Sequence, residues 1–169
     1  PDINEAHRMI DKLEGEMPEI LETCETMGAD RGYDDTKLIE KTWDKHKIKP
    51  VIDIRNMWKD PDGTRQLEGY TNVTYNYKGN VYCYCMETGA KREMAAGGFE
   101  KDRNTLRKLC PVKQYGLECK GMDKCPIKQG IRIKLDIDRR IFTPVDRASY
   151  KWKRYYDKRP SVERINSRL

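Results

Sequence analysis

The sequence predicts an α/β protein whose layer is interrupted by a small β-rich, cysteine-containing insertion. Three observations carry this. Residues 1–57 alternate helical and strand-like apolar patterns. The composition changes near residue 58, where apolar runs become short, tyrosine-rich and separated by turn residues. Helical character returns near residue 148. The expected organisation is therefore 1–57 as the first part of the α/β core, 58–147 as the insertion and 148–169 as a helix returning to the core.

Within the first part, Ile3, Ala6, Met9, Ile10 and Leu13 recur at helical spacing and predict a helix over 3–14. Ile20, Leu21 and Cys24 predict a second over 18–27, with Cys24 a small buried side chain. "TMGADRGY" is a short strand candidate ending in a turn at Gly32. Asp34 or Asp35 is the expected N-cap of the helix "DTKLIEKTWDKH". "KPVIDIR", 49–55, is a compact apolar run bounded by polar residues, which predicts a buried strand containing Asp53. The order helix, helix, strand, helix, strand implies a partly parallel sheet.

In the insertion, "KDPDGTRQLEGY" reads as a turn-rich linker. "NVTYNYKGNVYCYCMETGAKREM" reads as hairpins closed by the "KGN" and "ETG" turns. "AAGGFEKDRNTLRKLC" is expected to become briefly helical, "PVKQYGLECKGMDKCP" to be loop, and "IRIKLDIDRRIFTP" to be a strand.

Charged residues make up 37% of the chain and the net charge is +6, which suits an anionic partner. The first 46 residues lean acidic, whereas "YKWKRYYDKRPSVERINSRL" is strongly basic. A basic face beside an acidic site is what a nucleic-acid enzyme needs. No apolar run of about 18 residues exists, so no membrane span is expected. Neither a signal segment nor an initiator Met opens the chain. A cytoplasmic piece of a longer protein is the expectation.

Two carboxylates stand out. Asp30 falls at the end of the first predicted strand, where sites form in α/β sheets; the alternative is an ordinary turn aspartate. Glu163 shares a helical stripe with Tyr156 and Arg159, beside the apolar stripe Val162, Ile165 and Leu169. The alternative there is an arginine–glutamate pair on a solvated face. Pro160 favours a helix starting at that position, which would leave Tyr156 and Arg159 in a preceding turn or kink. Carboxylates so placed suit Mg²⁺ or Mn²⁺ and phosphoryl chemistry, with a further carboxylate required.

Cys83, Cys85, Cys110, Cys119 and Cys125 are spaced C-x-C and then C-x8-C-x5-C. Structural zinc on Cys85, Cys110, Cys119 and Cys125, with Cys83 as alternate, is the leading expectation; reduced free thiols and a disulfide are the others.

"ADRGYDD" resembles the second-aspartate motif of bacterial insertion-sequence transposases of the DDE type. "YYDKRPSVERINSRL" resembles their closing signature: tyrosine, two residues, arginine, three residues, glutamate, six residues, lysine. Here that reads Tyr156, Arg159 and Glu163, with the lysine falling one place past Leu169. "PDINEAHRM" looks like the loop after an early strand in the same family, often "xHDxxEA". The resemblance implies an RNase H-like fold carrying an insertion domain and an acidic triad that includes Asp30 and Glu163. It also implies two Mg²⁺ ions and DNA strand cleavage followed by joining. Tyr156 and Arg159 would contact DNA phosphate, and the full-length protein would work as a homodimer. The first aspartate is expected upstream of residue 1, leaving this piece inactive alone. A non-catalytic zinc-stabilised nucleic-acid-binding module, or a related nuclease that cuts without joining, are the competing readings.

Overall fold

The computed structural model describes residues 2–60 and 63–159. Helix α1 (Asp2–Glu16) buries Ala6 and Ile10. Helix α2 (Pro18–Thr23) opens on Pro18, whose missing N–H is harmless at a first helical position, and buries Leu21. It ends at Thr23, short of the expected boundary, because strand β1 (Thr26–Ala29) follows at once. β1 pairs in parallel with β2 (Lys49–Ile52), in a register running from Thr26↔Lys49 to Ala29↔Ile52.

Helix α3 (Thr36–Glu40) makes the crossover between them. Asp35 is its N-cap, accepting from Leu38 N at 2.9 Å. The helix widens into a π turn at Lys41–Lys45, where the Thr42 hydroxyl donates to the carbonyls of Leu38 and Ile39 at 2.9 and 3.0 Å. Ala6, Ile10, Leu21, Leu38, Ile39, Ile48 and Ile52 form one core. Each large aliphatic side chain buried there contributes roughly 2 kcal/mol.

The insertion is two antiparallel sheets. The first runs β3 (Arg65–Gln66), β4 (Val73–Tyr75), β5 (Val81–Tyr84), β6 (Lys91–Glu93) in simple order. The "KGN" turn joins β4 to β5, with Gly79 at φ +84 and Asn76 Oδ1 accepting from Asn80 N at 3.0 Å. The second sheet is β7 (Ala95–Glu100), β8 (Thr105–Leu109), β9 (Gly130–Lys134), with a short helix α4 (Pro111–Tyr115) between β8 and β9.

Three expectations need correction here. Residues 95–110 are two strands around a 3₁₀ turn at Lys101–Arg103, not a brief helix. Lys108 is fully buried beside Leu106, which hides the period-2 pattern from the sequence. Residues 111–115 are helical rather than loop. β9 stops at Lys134 and gives way to a 3₁₀ turn at Leu135–Ile137.

A second core holds the insertion together around Val73, Val81, Leu106, Ile133 and Phe142. Trp43 and Ile54 from the α/β part complete it. The Trp43 ring meets Phe99 edge-on at 5.3 Å and donates Nε1–H to Asn104 Oδ1 at 3.0 Å. Two ion pairs lie near the same boundary, the first across it and the second within the insertion. Asp34, expected as a cap, is instead a buried hub that pairs with Arg140 and accepts from Arg55 N at 2.8 Å. Lys108 Nζ lies 2.7 Å from Asp146 Oδ2. The chain then returns as α5 (Tyr150–Tyr156), capped by Ser149 and packed against β1 and β2.

The architecture is thus mixed α/β with several small sheets. Among the described residues no helix is long and apolar enough to cross a membrane.

Candidate functional site

Parallel strands lie about 4.8 Å apart and expose their carboxyl ends on one side of the sheet. Ala29 and Ile52 are register partners at that end. The next residues along the two strands are Asp30 and Asp53. Asp53 was expected inside a strand, but β2 ends at Ile52, so the structure brings a second carboxylate to the same edge. The signal was available: the apolar run "PVI" breaks at Asp53.

The two aspartates differ in what they touch. Asp30 is exposed and caps the 3₁₀ turn Arg31–Tyr33, accepting from Gly32 N at 2.7 Å. Among the described residues it makes no ion pair. Asp53 is held by Arg31, at 2.9 Å from Nε and 2.7 Å from a terminal nitrogen. That bond is the main reason the Arg31 guanidinium binds its proton more tightly than usual, and Tyr156 adds a smaller contribution in the same direction.

A cleft of about 490 Å³ opens beside Asp30. Its walls come from four places: Glu5 and Met9 of α1, Met27 and Asp30 at β1, Tyr33 of the 3₁₀ turn, and Arg159 beyond α5. Asp30 and Arg159, 129 residues apart in the chain by subtraction, therefore share one cavity. Tyr156 is the last residue of α5, residues 157–158 turn, and Arg159 is helical again. Tyr156 thus lies within α5 and not in a turn before a later helix, and Pro160 lies outside the described residues. Glu163 lies outside the described residues.

The face of α5 toward the sheet is a ladder of rings and cations. Trp152 and Tyr156 stack at 4.8 Å with an interplanar angle of 11°. Arg147 covers the Trp152 ring at 5.9 Å, and Arg159 covers Tyr156 at 5.4 Å. Arg147 is buried, which pushes its pKa down to about 10. It donates to the Arg140 carbonyl at 2.9 Å and to the Ile52 carbonyl, fixing the start of α5 to the end of β2.

The five insertion cysteines gather in one region as free thiols. Cys110 and Cys125 pack against the core that contains Cys83. Burial raises the Cys83 thiol to about 11. Cys85 sits in the turn after β5, where hydrogen bonds from Thr88, Glu87 and Gly121 lower it to about 6. Cys119 is hydrogen-bonded to Cys85, and Cys125 Sγ accepts from Asn72 at 3.6 Å. Among the described residues no group of three or more His, Cys, Asp or Glu side chains is placed to hold a metal ion.

In comparisons with known proteins, no family model, curated protein or solved structure matches this chain.

Proposed function

We propose that this chain is part of the catalytic domain of a DDE transposase with an RNase H-like core, acting on the ends of an insertion element and on target DNA. One observation carries the reading. An exposed aspartate at the carboxyl end of a parallel strand shares a cleft with an arginine brought back by the helix that follows a long insertion. Asp30 of the first motif and Arg159 of the second line one cleft, which supports this reading.

Asp30 fits a divalent cation: it is exposed, oxygen-bearing and not neutralised by a described cation. Asp30 and Glu163 would hold Mg²⁺ or Mn²⁺, which supplies an activated water or hydroxyl and steadies the leaving oxygen. The protein's own contribution is positional. Gly32 N–H holds one carboxylate oxygen of Asp30 in place. Arg159 stands over the Tyr156 ring and lines the cleft, and a guanidinium is the side chain whose planar geometry suits a phosphate. Arg31 keeps Asp53 occupied, which leaves Asp30 the accessible acid of the pair. Dimeric assembly of the full-length protein belongs to the same proposal.

For the insertion, the accompanying proposal is a structural zinc ion on Cys85, Cys110, Cys119 and Cys125: Cys85 and Cys119 already touch, and Cys110 and Cys125 would have to close on them to complete the set. Cys83 faces the core and is the weaker ligand. The alternative of a stand-alone binding module over 58–147 finds less support, because Trp43 and Ile54 complete its core from outside.

The test is Mg²⁺-dependent cleavage of element-end DNA by the chain extended upstream to include the first aspartate. Cleavage lost in Asp30→Asn and in Glu163→Gln, with DNA binding kept, is the expected result. Undiminished cleavage by either variant would sink the assignment.

A further inference from the structure

α5 has a second face, and it is built differently from the one against the sheet. Lys151, Tyr155 and Lys158 lie at i, i+4 and i+7, with Arg154 beside them. All three cations sit over the Tyr155 ring, Lys151 at 5.7 Å, Arg154 at 5.9 Å and Lys158 at 5.5 Å. They are exposed, and none is paired with a carboxylate among the described residues. The acid on this helix, Asp157, is used by Lys153 at 2.6 Å.

Gathering like charges round one ring costs free energy through mutual repulsion. The ring offsets part of that cost and holds the side chains in place, so an anion meets them already ordered. The charge also continues beyond the helix. Lys151 lines a groove of about 610 Å³ together with Lys47 and Lys49, from the approach to β2, and Lys101 of the insertion. Glu22, Glu25 and Asp146 line the same groove, and Asp146 is neutralised there by its pairing with Lys108. At the other end, Arg159 lines the Asp30 cleft. From Lys151 to Arg159 a helix would rise about 12 Å, the axial length of three to four nucleotides of one strand.

We propose that the outer face of α5, Lys151, Arg154 and Lys158 around Tyr155, is a second DNA-contact surface that carries the phosphate backbone from the Asp30 cleft toward the lysine groove. This rests on the transposase reading and names where its DNA runs. The partner follows from charge complementarity: an extended, regularly charged polyanion matches cations that come from three parts of the chain and extend from the α5 face into an adjoining groove, as a single small anion would not.

The experiment is fluorescence anisotropy on a labelled 30-base-pair duplex, using this chain without added Mg²⁺ or Mn²⁺ and without chelator, over a series of salt concentrations. Lys151→Ala/Arg154→Ala/Lys158→Ala should weaken binding at least tenfold at low salt. It should also reduce the slope of log K against log salt by about 2.7, three contacts at about 0.9 each. Lys113→Ala/Lys120→Ala/Lys124→Ala removes the same charge from the exposed cysteine loop and should leave affinity and slope within twofold and 0.5 of the wild type. Circular dichroism of both variants establishes that they fold. Wild-type affinity and slope in the α5 variant would overturn the surface while leaving the transposase reading standing. Equal losses in both variants would also overturn it, as an effect of total charge. Failure of the wild-type chain to bind any duplex would overturn the surface and the reading beneath it together.

Discussion

Lys108 of β8 and Asp146 of the segment entering α5 form an ion pair that is 0% and 5% exposed, with Nζ 2.7 Å from Oδ2. It ties the second sheet of the insertion to the return of the chain. A charge left alone in that place would be strongly disfavoured, whereas removing both together is tolerated. Lys108→Met alone should lower stability by about 3–5 kcal/mol, and Lys108→Met/Asp146→Leu should recover most of it. Urea unfolding of the three proteins measures this; a double variant no better than the single would refute the pairing.

The turn role of Asp30 and its proposed chemical role separate in one variant. Asparagine keeps the oxygen that accepts from Gly32 N but loses the charge. Asp30→Asn should melt within about 2 °C of the wild type, as a surface change does, while removing Mg²⁺-dependent cleavage in the extended protein. A large fall in Tm would mean that the charge is structural.

Cys85 and Cys83, two residues apart, should ionise on opposite sides of the ordinary thiol value of about 8.5. In metal-free protein, alkylation followed by mass spectrometry should show Cys85 half-reacted near pH 6 and Cys83 inert until pH approaches about 11. Thr88→Ala removes the leading hydrogen bond and should move the Cys85 midpoint upward. The sign for stability follows from the lowered value: the contribution of Cys85 is present above about pH 8.5 and is lost as pH falls through about 6.

Gly121 has no room for a side chain. A Cβ there would lie 3.0 Å from the backbone nitrogens of Met86 and Glu87 and 3.2 Å from Cys85 Sγ. Gly121→Ala should cost about 1–3 kcal/mol through overpacking and shift the Cys85 alkylation midpoint up, because the turn must move off the sulfur. An unchanged midpoint would show that Gly121 N–H does not hold the thiolate.

The helices of the first 57 residues, the parallel pair and the β4–β5 hairpin were legible because their signals are local: helical spacing in α1, a compact apolar run in β2, turn residues between β4 and β5. What stayed hidden depends on partners distant in sequence. Lys108 reads as a surface residue until Asp146 is brought to it, so β8 was mistaken for helix. Asp34 reads as a cap until Arg140 arrives from the far side of the insertion. Asp30, Tyr156 and Arg159 could be named from the chain, and the cleft joining Asp30 to Arg159 became visible only in the fold. The basic cluster on the outer face of α5 has a local signal, the i, i+4, i+7 spacing of Lys151, Tyr155 and Lys158, but its convergence on one ring is a property of the folded helix.

The Asp34–Arg140 contact spans 106 residues. Closing a loop of that length costs roughly 4 kcal/mol of chain entropy, against little more than 1 for a tight hairpin. The β4–β5 and β5–β6 turns should therefore form first, and the ionic lock on the parallel pair should wait for them. Pulse-labelling hydrogen exchange during refolding can time this. The Tyr84 amide, bonded to the Asn72 carbonyl at 2.9 Å, should gain protection before the Arg55 amide, bonded to Asp34 at 2.8 Å. Simultaneous protection would mean a single concerted step. In the expected order, the layer that carries the candidate chemistry is assembled last, on an insertion already in place, and the insertion serves as its folding template.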